Sequence, residues 1–277
     1  MSMHKCLSAF LAGAVLINAA YANPSVEVVT RDDFELIPLN PLRGDASPKA
    51  GVLWGDLRED VASGALIQFA DGFSSPPHIH NITYRAVVIE GVVHNDDPTA
   101  AMFWMEPGSF WTQPAGETHI TAVGPGGGLA FLEIEAGPYL VRPSEEAFDN
   151  GERPINNEAR NVVWLTAADT TWISGETGAE ISFLWGEPSA GARNGSFVRL
   201  DPGSETRLHT DGTPLKLVLA MGELAHSVDD LSDVQTLTSG SYVGSEGEVS
   251  HNITCNDAAS CLLYVSATGT YRISGAE

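Results

Sequence analysis

Apolar residues occur in short runs along the chain, and polar turn-forming residues separate the runs. The runs are rich in Val, Ile, Phe and Tyr, whereas Gly, Pro, Asn and Asp fill the intervals. No window shows the longer apolar periodicity of an amphipathic helix, so the pattern predicts an all-β protein. The predicted strands include residues 64–70, 84–91, 102–105, 119–123 and 129–136.

The chain also contains an internal repeat. Residues 53–72 (LWGDLREDVASGALIQFADG) align without a gap with residues 184–203 (LWGEPSAGARNGSFVRLDPG). This gapless register matches Trp54 with Trp185, Gly64 with Gly195 and Gly72 with Gly203, and it continues to match His78 with His209 and Gly91 with Gly222. After one inserted residue in the second copy, His119 matches His251. A register kept over this length indicates duplication. The chain is therefore predicted to hold two copies of one β domain.

The repeat sets the expected domain boundaries. The first copy spans residues 23–140 and the second spans residues 161–277. Between them, residues 141–160 contain two prolines and many charges, which is typical of a connector. An arm that packs on a neighbouring domain, and so supports dimerisation, is the alternative interpretation of this segment.

Residues 1–22 have the organisation of a secretory signal peptide. Lys5 precedes an apolar run over residues 7–20, and the sequence AYA at 20–22 matches a small-residue cleavage site. We therefore expect a cleaved leader and a periplasmic or secreted protein. A buried first helix or an uncleaved anchor is the alternative.

Two cysteines, Cys255 and Cys261, follow the predicted leader and flank the turn-like sequence NDAAS. An even pair in an exported protein predicts a disulfide, here between two antiparallel strands. Two buried free thiols are the alternative.

The chain is strongly acidic, with 14 basic against 36 acidic side chains and a formal net charge of −22. Phosphate backbones and anionic lipids would repel such a chain, so nucleic acid and membrane partners are not expected. The acidity says nothing further about function.

A candidate metal site is found in residues 76–85, PPHIHNITYR. His78 and His80 would project from the same face of a strand, and His119 follows a turn that contains Gly108, Pro114 and Gly116. Three converging neutral imidazoles bind a divalent ion and leave coordination positions for water or substrate. The ion is left open among Fe, Zn and Mn, and a hydrogen-bonded cluster without metal is the alternative.

These motifs resemble those of the cupin family. Residues 72–91 match the first cupin motif and residues 108–119 match the second, so the duplicated chain is similar to a bicupin of the RmlC-like superfamily. The resemblance implies two tandem double-stranded β-helix (jelly-roll) barrels and allows a homodimer. The chain also resembles a secreted bacterial cupin family of unknown function. More distant likenesses are to three-histidine cupins such as the acetylacetone-cleaving dioxygenase and the cupin domain of zinc-binding anti-sigma factors.

The chain departs from the first cupin motif at Arg85. This residue is assigned to the position of the usual glutamate ligand, and the spacer to Gly91 is then one residue short. An arginine beside a divalent ion requires an anion nearby. Either a resident carboxylate, Glu133 or Glu135, pairs with it, or it anchors an anionic substrate as a catalytic residue.

The second copy carries His209, Asp211 and His251 at the ligand positions, with Lys216 where the first copy has Arg85. Two histidines and a carboxylate are a second possible metal site, suited to Fe or Mn. The turn proline and glycine have become Glu246 and Glu248, so the alternative is a barrel kept for packing. His94 and His226 are expected at the surface. The aromatic residues near the second motif (Phe103, Trp104, Phe110 and Trp111) are expected in the barrel core, and the alternative is that they line an apolar pocket over the metal.

Two functional hypotheses follow. The first is a metalloenzyme, such as a metal-dependent dioxygenase, that acts on a small anionic or dicarbonyl molecule. His78, His80 and His119 would hold the metal ion and Arg85 would orient the substrate. The second is a protein that binds or senses a metal ion or small ligand without turnover.

Overall fold

Strands make up about half of the residues described by the computed structural model, which are 25–228 and 233–276. The predicted leader lies outside these residues. The first half and the connector contain β1 (Ser25–Val29), β2 (Ile37–Pro38), β3 (Lys49–Trp54), β4 (Ser63–Phe69), β5 (His78–His80), β6 (Tyr84–Glu90), β7 (Val93–Asp96), β8 (Phe110–Gln113), β9 (Ile120–Val123), β10 (Gly128–Ile134), β11 (Val141–Pro143) and β12 (Ile155–Asn157).

The second half contains β13 (Ile173–Ser174), β14 (Ala179–Gly186), β15 (Arg193–Leu200), β16 (Glu205–Asp211), β17 (Leu215–Met221), β18 (Glu223–Val228), β19 (Gln235–Thr238), β20 (Tyr242–Glu246), β21 (Glu248–Cys255), β22 (Cys261–Thr268) and β23 (Tyr271–Gly275). Short 3-10 helices occur at Pro41–Ala46, Ser144–Glu146 and Ala159–Asn161. In the described residues, no helix has the length and apolarity needed to cross a bilayer.

The predicted all-β class is confirmed, and each half forms a barrel of antiparallel strands. The first barrel has a seven-stranded sheet in the order β12-β8-β6-β10-β4-β3-β2, faced by the pairs β5–β11 and β7–β9. The second barrel has two six-stranded sheets, β1-β20-β17-β22-β15-β14 and β13-β23-β16-β21-β18-β19. One predicted strand is wrong. Residues 102–105 form no strand, because only Met105 reaches the core, where it bridges to Val93.

The barrels pack face to face, through the seven-stranded sheet of the first barrel and the six-stranded sheet of the second that contains β17. The alternation of side chains on β6 shows how one strand serves two cores. Tyr84, Ala86 and Val88 point into the first barrel, whereas Val87 and Ile89 point toward the second. The shared core receives Phe131 from β10 and, from the second barrel, large apolar side chains that include Phe197, Val218 and Tyr264.

Two tryptophans of the repeat, Trp54 and Trp185, lie at this interface, and each faces a basic residue of the other copy. Arg85 stacks over Trp185 at 3.7 Å from the ring centroid, and Lys216 lies 5.4 Å from the ring of Trp54. The repeated glycine next to each tryptophan leaves space for its indole, because a Cβ at Gly64 or Gly195 would collide with that ring. The repeated Trp and Gly are therefore explained by packing between the barrels.

Three strands near the expected domain boundaries, β1, β11 and β12, pair with strands outside their own segment. β1 pairs with β20, so residues 25–29 lie in a sheet of the second barrel. In the segment expected to be a connector, β11 pairs with β5 and β12 pairs with β8. The segment 141–160 is thus bound along the first barrel at both ends.

The predicted disulfide is confirmed. Cys255 ends β21 and Cys261 begins β22, and a disulfide joins them with Cα atoms 5.8 Å apart. Both cysteines are fully buried in the second barrel's core.

Candidate metal centre

Two antiparallel segments bring the three predicted histidines together. His78 and His80 lie on β5, and their side chains point to the same side because they are two positions apart. His119 stands opposite His78, and the backbones of the two residues exchange hydrogen bonds of 3.1 and 3.0 Å. One ring nitrogen from each of His78, His80 and His119 lies within 4.8 Å of the others.

Each ring is held in one orientation by a backbone carbonyl. The Nδ1 atoms of His78, His80 and His119 lie 2.9, 3.0 and 3.2 Å from the carbonyl oxygens of Pro76, Leu140 and Glu117. A carbonyl only accepts, so each Nδ1 carries the proton and each Nε2 keeps its lone pair. This is the arrangement by which proteins fix the tautomer of metal-binding histidines.

Burial keeps these histidines neutral. Burial lowers the pKa of His119 to about 3, and the positive charge of a protonated His78 contributes further. Burial also lowers the pKa of His80 well below its ordinary value and, to a smaller extent, lowers the pKa of His78. Neutral imidazoles are the form that binds a metal ion.

The free nitrogens test whether the residues fit a metal ion. Nε2 of His119 is buried and has no hydrogen-bond partner among the described residues, although burying such an atom unpaired is costly. Nε2 of His80 accepts a hydrogen bond of 3.2 Å from the Tyr139 hydroxyl. Three converging lone pairs, one without a partner, fit a divalent ion that prefers nitrogen ligands.

A cavity of about 380 Å³ opens beside the histidines. His78 and His80 line it, and its walls include Phe69, Phe73 and Trp111. Tyr139 also lines the cavity and stacks on the His80 ring, with centroids 4.4 Å apart. The arrangement offers a metal position that a small, largely apolar molecule can reach.

Tyr84 belongs to this site, and the sequence interpretation missed it. Its side chain is 3% exposed and lies 5.2 Å from the His80 ring, centroid to centroid. The Tyr84 hydroxyl donates to Asn95 Oδ1 at 3.0 Å, and Asn95 Nδ2 donates to Gln113 Oε1 at 2.9 Å. The short spacer to Gly91 was the signal that could have found it, because assigning the glutamate position to Tyr84 restores the spacer length.

Arg85 does not lie at this site, which corrects its prediction as a catalytic residue. Successive side chains of a strand point to opposite faces, so the inward position of Tyr84 sends Arg85 outward to the interface. There its Nη1 donates to Glu135 Oε1 at 2.7 Å while the guanidinium stacks on Trp185. The resident ion pair proposed as the alternative is therefore the observed one.

The other candidate carboxylate, Glu133, is 1% exposed and lies in the same interface. It accepts hydrogen bonds from Tyr264, Ser266 and Arg193 at 2.7, 2.8 and 3.3 Å. These bonds satisfy a buried charge between the barrels, and they give Glu133 a structural role.

Two ligands of the second predicted metal site, His209 and His251, are not brought together. On β16 the buried positions are Thr206, Leu208 and Thr210, so His209 faces outward and donates to or accepts from Ser250 at 2.9 Å. The side chain of Asp211 lies outside the described part of the chain. His251 faces inward, opposite Leu208 in the register. The alignment of His78 with His209 was therefore wrong by one residue, and a shift of one residue moves a side chain to the opposite face of its strand.

Two histidines expected at the surface are instead buried. His94 is 1% exposed and His226 is 3% exposed, since each lies on a strand whose alternate residues point inward. His226 Nε2 lies 3.0 Å from His251 Nδ1, and His251 Nε2 lies 2.9 Å from the Ser245 hydroxyl. This pair occupies the interior where the first barrel has its metal centre.

The aromatic residues near the second motif divide into three groups. Trp111 lines the cavity, Phe110 packs into the interface between the barrels, and Phe103 and Trp104 are exposed at 40% and 37%. The expectation that they form barrel core is correct for Trp111, which is both core and cavity wall.

Solved structures with the same architecture are cupins at low sequence identity. A proposed dioxygenase from Nostoc punctiforme is 14% identical, with a TM-score of 0.63 over 88% of this chain and 83% of that chain. Oxalate decarboxylase from Bacillus subtilis is 12% identical, with a TM-score of 0.51 over 90% and 77%. Salicylate 1,2-dioxygenase from Pseudoaminobacter salicylatoxidans is 14% identical, with a TM-score of 0.50 over 78% and 73%. These similarities confirm the fold as two tandem cupin barrels.

No curated protein matches the sequence. One family does match, over residues 27–274, and its description is "Domain of unknown function (DUF4437)". The match spans both barrels, the metal centre and the disulfide. The chain therefore belongs to the DUF4437 family.

Proposed function

We propose that this protein is a metal-dependent enzyme that acts on a small anionic or dicarbonyl molecule at His78, His80 and His119. The observation that carries the proposal is the fixed orientation of the three rings, whose Nε2 lone pairs converge beside a cavity. A site built only to pack would pair these atoms, whereas Nε2 of His119 has no partner in the described chain.

A divalent ion held by these three histidines supplies a Lewis acid that polarises a substrate carbonyl or carboxyl oxygen. Three neutral ligands leave its double charge uncompensated, so anionic oxygen ligands are favoured. The chain's own residues contribute orientation and exclusion of water. The apolar walls exclude solvent, and the Tyr139 hydroxyl, close to His80 Nε2, is placed to donate a hydrogen bond to a substrate oxygen.

A protein that binds a metal ion without turnover is the second candidate. Tyr139 favours it, because its hydroxyl lies 3.2 Å from Nε2 of His80 and its ring stacks on the His80 ring, so this side chain would restrict access to an ion held there. A closed coordination position suits storage or sensing, whereas an enzyme needs an exchangeable one.

We also propose export to the periplasm or the medium. The support is the leader-like sequence of residues 1–22 together with the Cys255–Cys261 disulfide, because disulfides persist in oxidising compartments.

The first test is the metal content of the purified protein, measured by mass spectrometry. We expect about one equivalent of a divalent ion per chain in the wild type and in Asp211→Ala. The ion should be lost from His80→Ala, since removal of one of three ligands costs most of the affinity. No metal in the wild type, even after Fe, Zn and Mn are offered, would contradict the proposal.

Turnover separates the two candidates. We expect the metal-loaded wild type, and not His80→Ala, to convert at least one member of a panel of β-dicarbonyls and small oxo and hydroxy acids. Full metal loading with no turnover and no exchange of bound anions such as azide would favour the binding protein.

A further inference from the structure

The cavity beside the histidines differs in charge from the rest of the molecule. The chain has 36 acidic against 14 basic side chains, yet no aspartate or glutamate lines this cavity in the part of the chain that the structure describes. Among the described lining residues, Arg43 is the one lysine or arginine, and this exposed residue lies over the Phe73 ring. Such a cavity admits an anion in a protein whose general field repels it.

The loop of residues 39–48 holds Arg43 at the cavity. Leu39 N donates to Pro48 O at 2.8 Å, and Asn40 N donates to the Ser47 hydroxyl at 2.9 Å, which closes the loop at its base. Arg43 N donates to Asn40 O at 3.0 Å. These bonds fix the backbone from which the guanidinium extends to within 5.9 Å of the Phe73 ring centroid.

Arg43 also differs from most arginines of the chain in having no carboxylate partner among the described residues. Other arginines lie within 4.0 Å of a carboxylate: Arg58, Arg85, Arg142, Arg153, Arg160, Arg193 and Arg199. A planar guanidinium binds a carboxylate through two parallel hydrogen bonds. In this acidic chain, an unpaired arginine at a cavity without carboxylates leaves that binding position open for a ligand.

The cavity's size sets the scale of the ligand. A buried apolar cavity of about 150 Å³ accepts benzene, so the 380 Å³ here accommodates one ring with substituents. Phe69, Phe73 and Leu132 provide apolar walls for such a body.

We propose that the cavity takes a small monocarboxylate with an apolar body, whose carboxylate pairs with Arg43 while its other end reaches His78 and His80. The proposal rests on the proposed function for the chemistry at the histidines. It adds the class of substrate and assigns Arg43 as the residue that selects it.

The test compares two probes of nearly equal shape, benzoate and benzyl alcohol, by isothermal titration calorimetry on the full chain stripped of metal. We expect Arg43→Gln to weaken benzoate binding by about tenfold or more, because a charge-assisted pair is lost. Arg43→Lys should recover part of the affinity. Benzyl alcohol binding should stay the same in all variants, and Arg58→Gln, an exposed arginine paired with Asp56, is the matched control.

Equal benzoate affinity in the wild type and Arg43→Gln would overturn the proposal. So would equal weakening of both probes, or no benzoate binding by the wild type. Since the titration uses metal-free protein, its outcome is independent of the metal measurement. A chain that binds benzoate through Arg43 but takes up no metal ion would overturn the proposed enzyme and retain the carboxylate site.

Discussion

At the scale of single residues, one step along β6 separates two functions. Tyr84 faces the metal centre, and Arg85 faces the second barrel, where it stacks on Trp185 and pairs with Glu135. The three candidate ligands could be predicted from the sequence. His78 and His80 are two positions apart on a strand and so share a face, and His119 ends the second cupin motif. It did not determine the face of β6 on which Arg85 lies, because a shift of one residue in register moves a side chain to the opposite face. Only the short spacer to Gly91 indicated that shift.

The position of Arg85 predicts the effect of replacing it. Arg85→Gln should leave the metal content at the wild-type level and lower the free energy of unfolding by about 1–2 kcal/mol, through loss of the cation–π contact and of a partly buried ion pair. Urea denaturation and metal analysis of the same preparations measure both. Lys216→Gln, at the related but more distant contact with Trp54, serves as the control and should have the smaller effect. Loss of metal from Arg85→Gln would return this residue to the site.

At the scale of strands, the two copies exchange elements that the repeat did not reveal. The repeat predicted the existence of two similar sheets correctly, because Trp54, Trp185 and their facing glycines are fixed by packing that both copies share. β1 contains no such repeated tryptophan or glycine. It is a short alternating strand, and nothing in residues 25–29 indicates that its partner is β20 rather than a neighbour in sequence. Pairing over such a distance depends on the whole fold, which local patterns do not encode.

The pairing of β1 predicts that it stabilises the second barrel. Val26 and Val28 pack against that barrel's core, whereas Glu27 is exposed. Replacing both valines with alanine should lower the free energy of unfolding by about 1–3 kcal/mol, since each is partly buried. Glu27→Ala should change it little. Urea titrations of the three proteins provide the comparison, and an unchanged midpoint in the double variant would show that β1 contributes no stability.

At the scale of the whole molecule, one barrel keeps an open centre and the other is filled. His226 and His251 bond to each other inside the second barrel, next to Ser245. Burial lowers the pKa of His226 to about 4, and burial with the neighbouring His226 charge lowers the pKa of His251 to about 3. The second copy thus retains inward histidines while its remaining interior is apolar core.

This pair predicts a stability that falls in acid. The unfolded chain takes up protons near the ordinary histidine pKa of about 6.5, whereas the folded chain does so only near pH 4 and below. The contribution is complete above pH 6.5 and is lost progressively as the pH falls from there to the folded values. Between pH 7.5 and pH 5, His226→Gln should lose about 2 kcal/mol less stability than the wild type, measured by urea denaturation of metal-free protein. His209→Gln, on the outer face, should behave as the wild type does.

The pairing of β1 with β20 also has a consequence for the order of events during synthesis. Among the described strands, β1 is the first to leave the ribosome, and its partner, Tyr242–Glu246, is made only when the second barrel is largely synthesised. Until then the growing chain carries an unpaired β-strand at its front. Completion of the second barrel is therefore postponed until β20 has been translated.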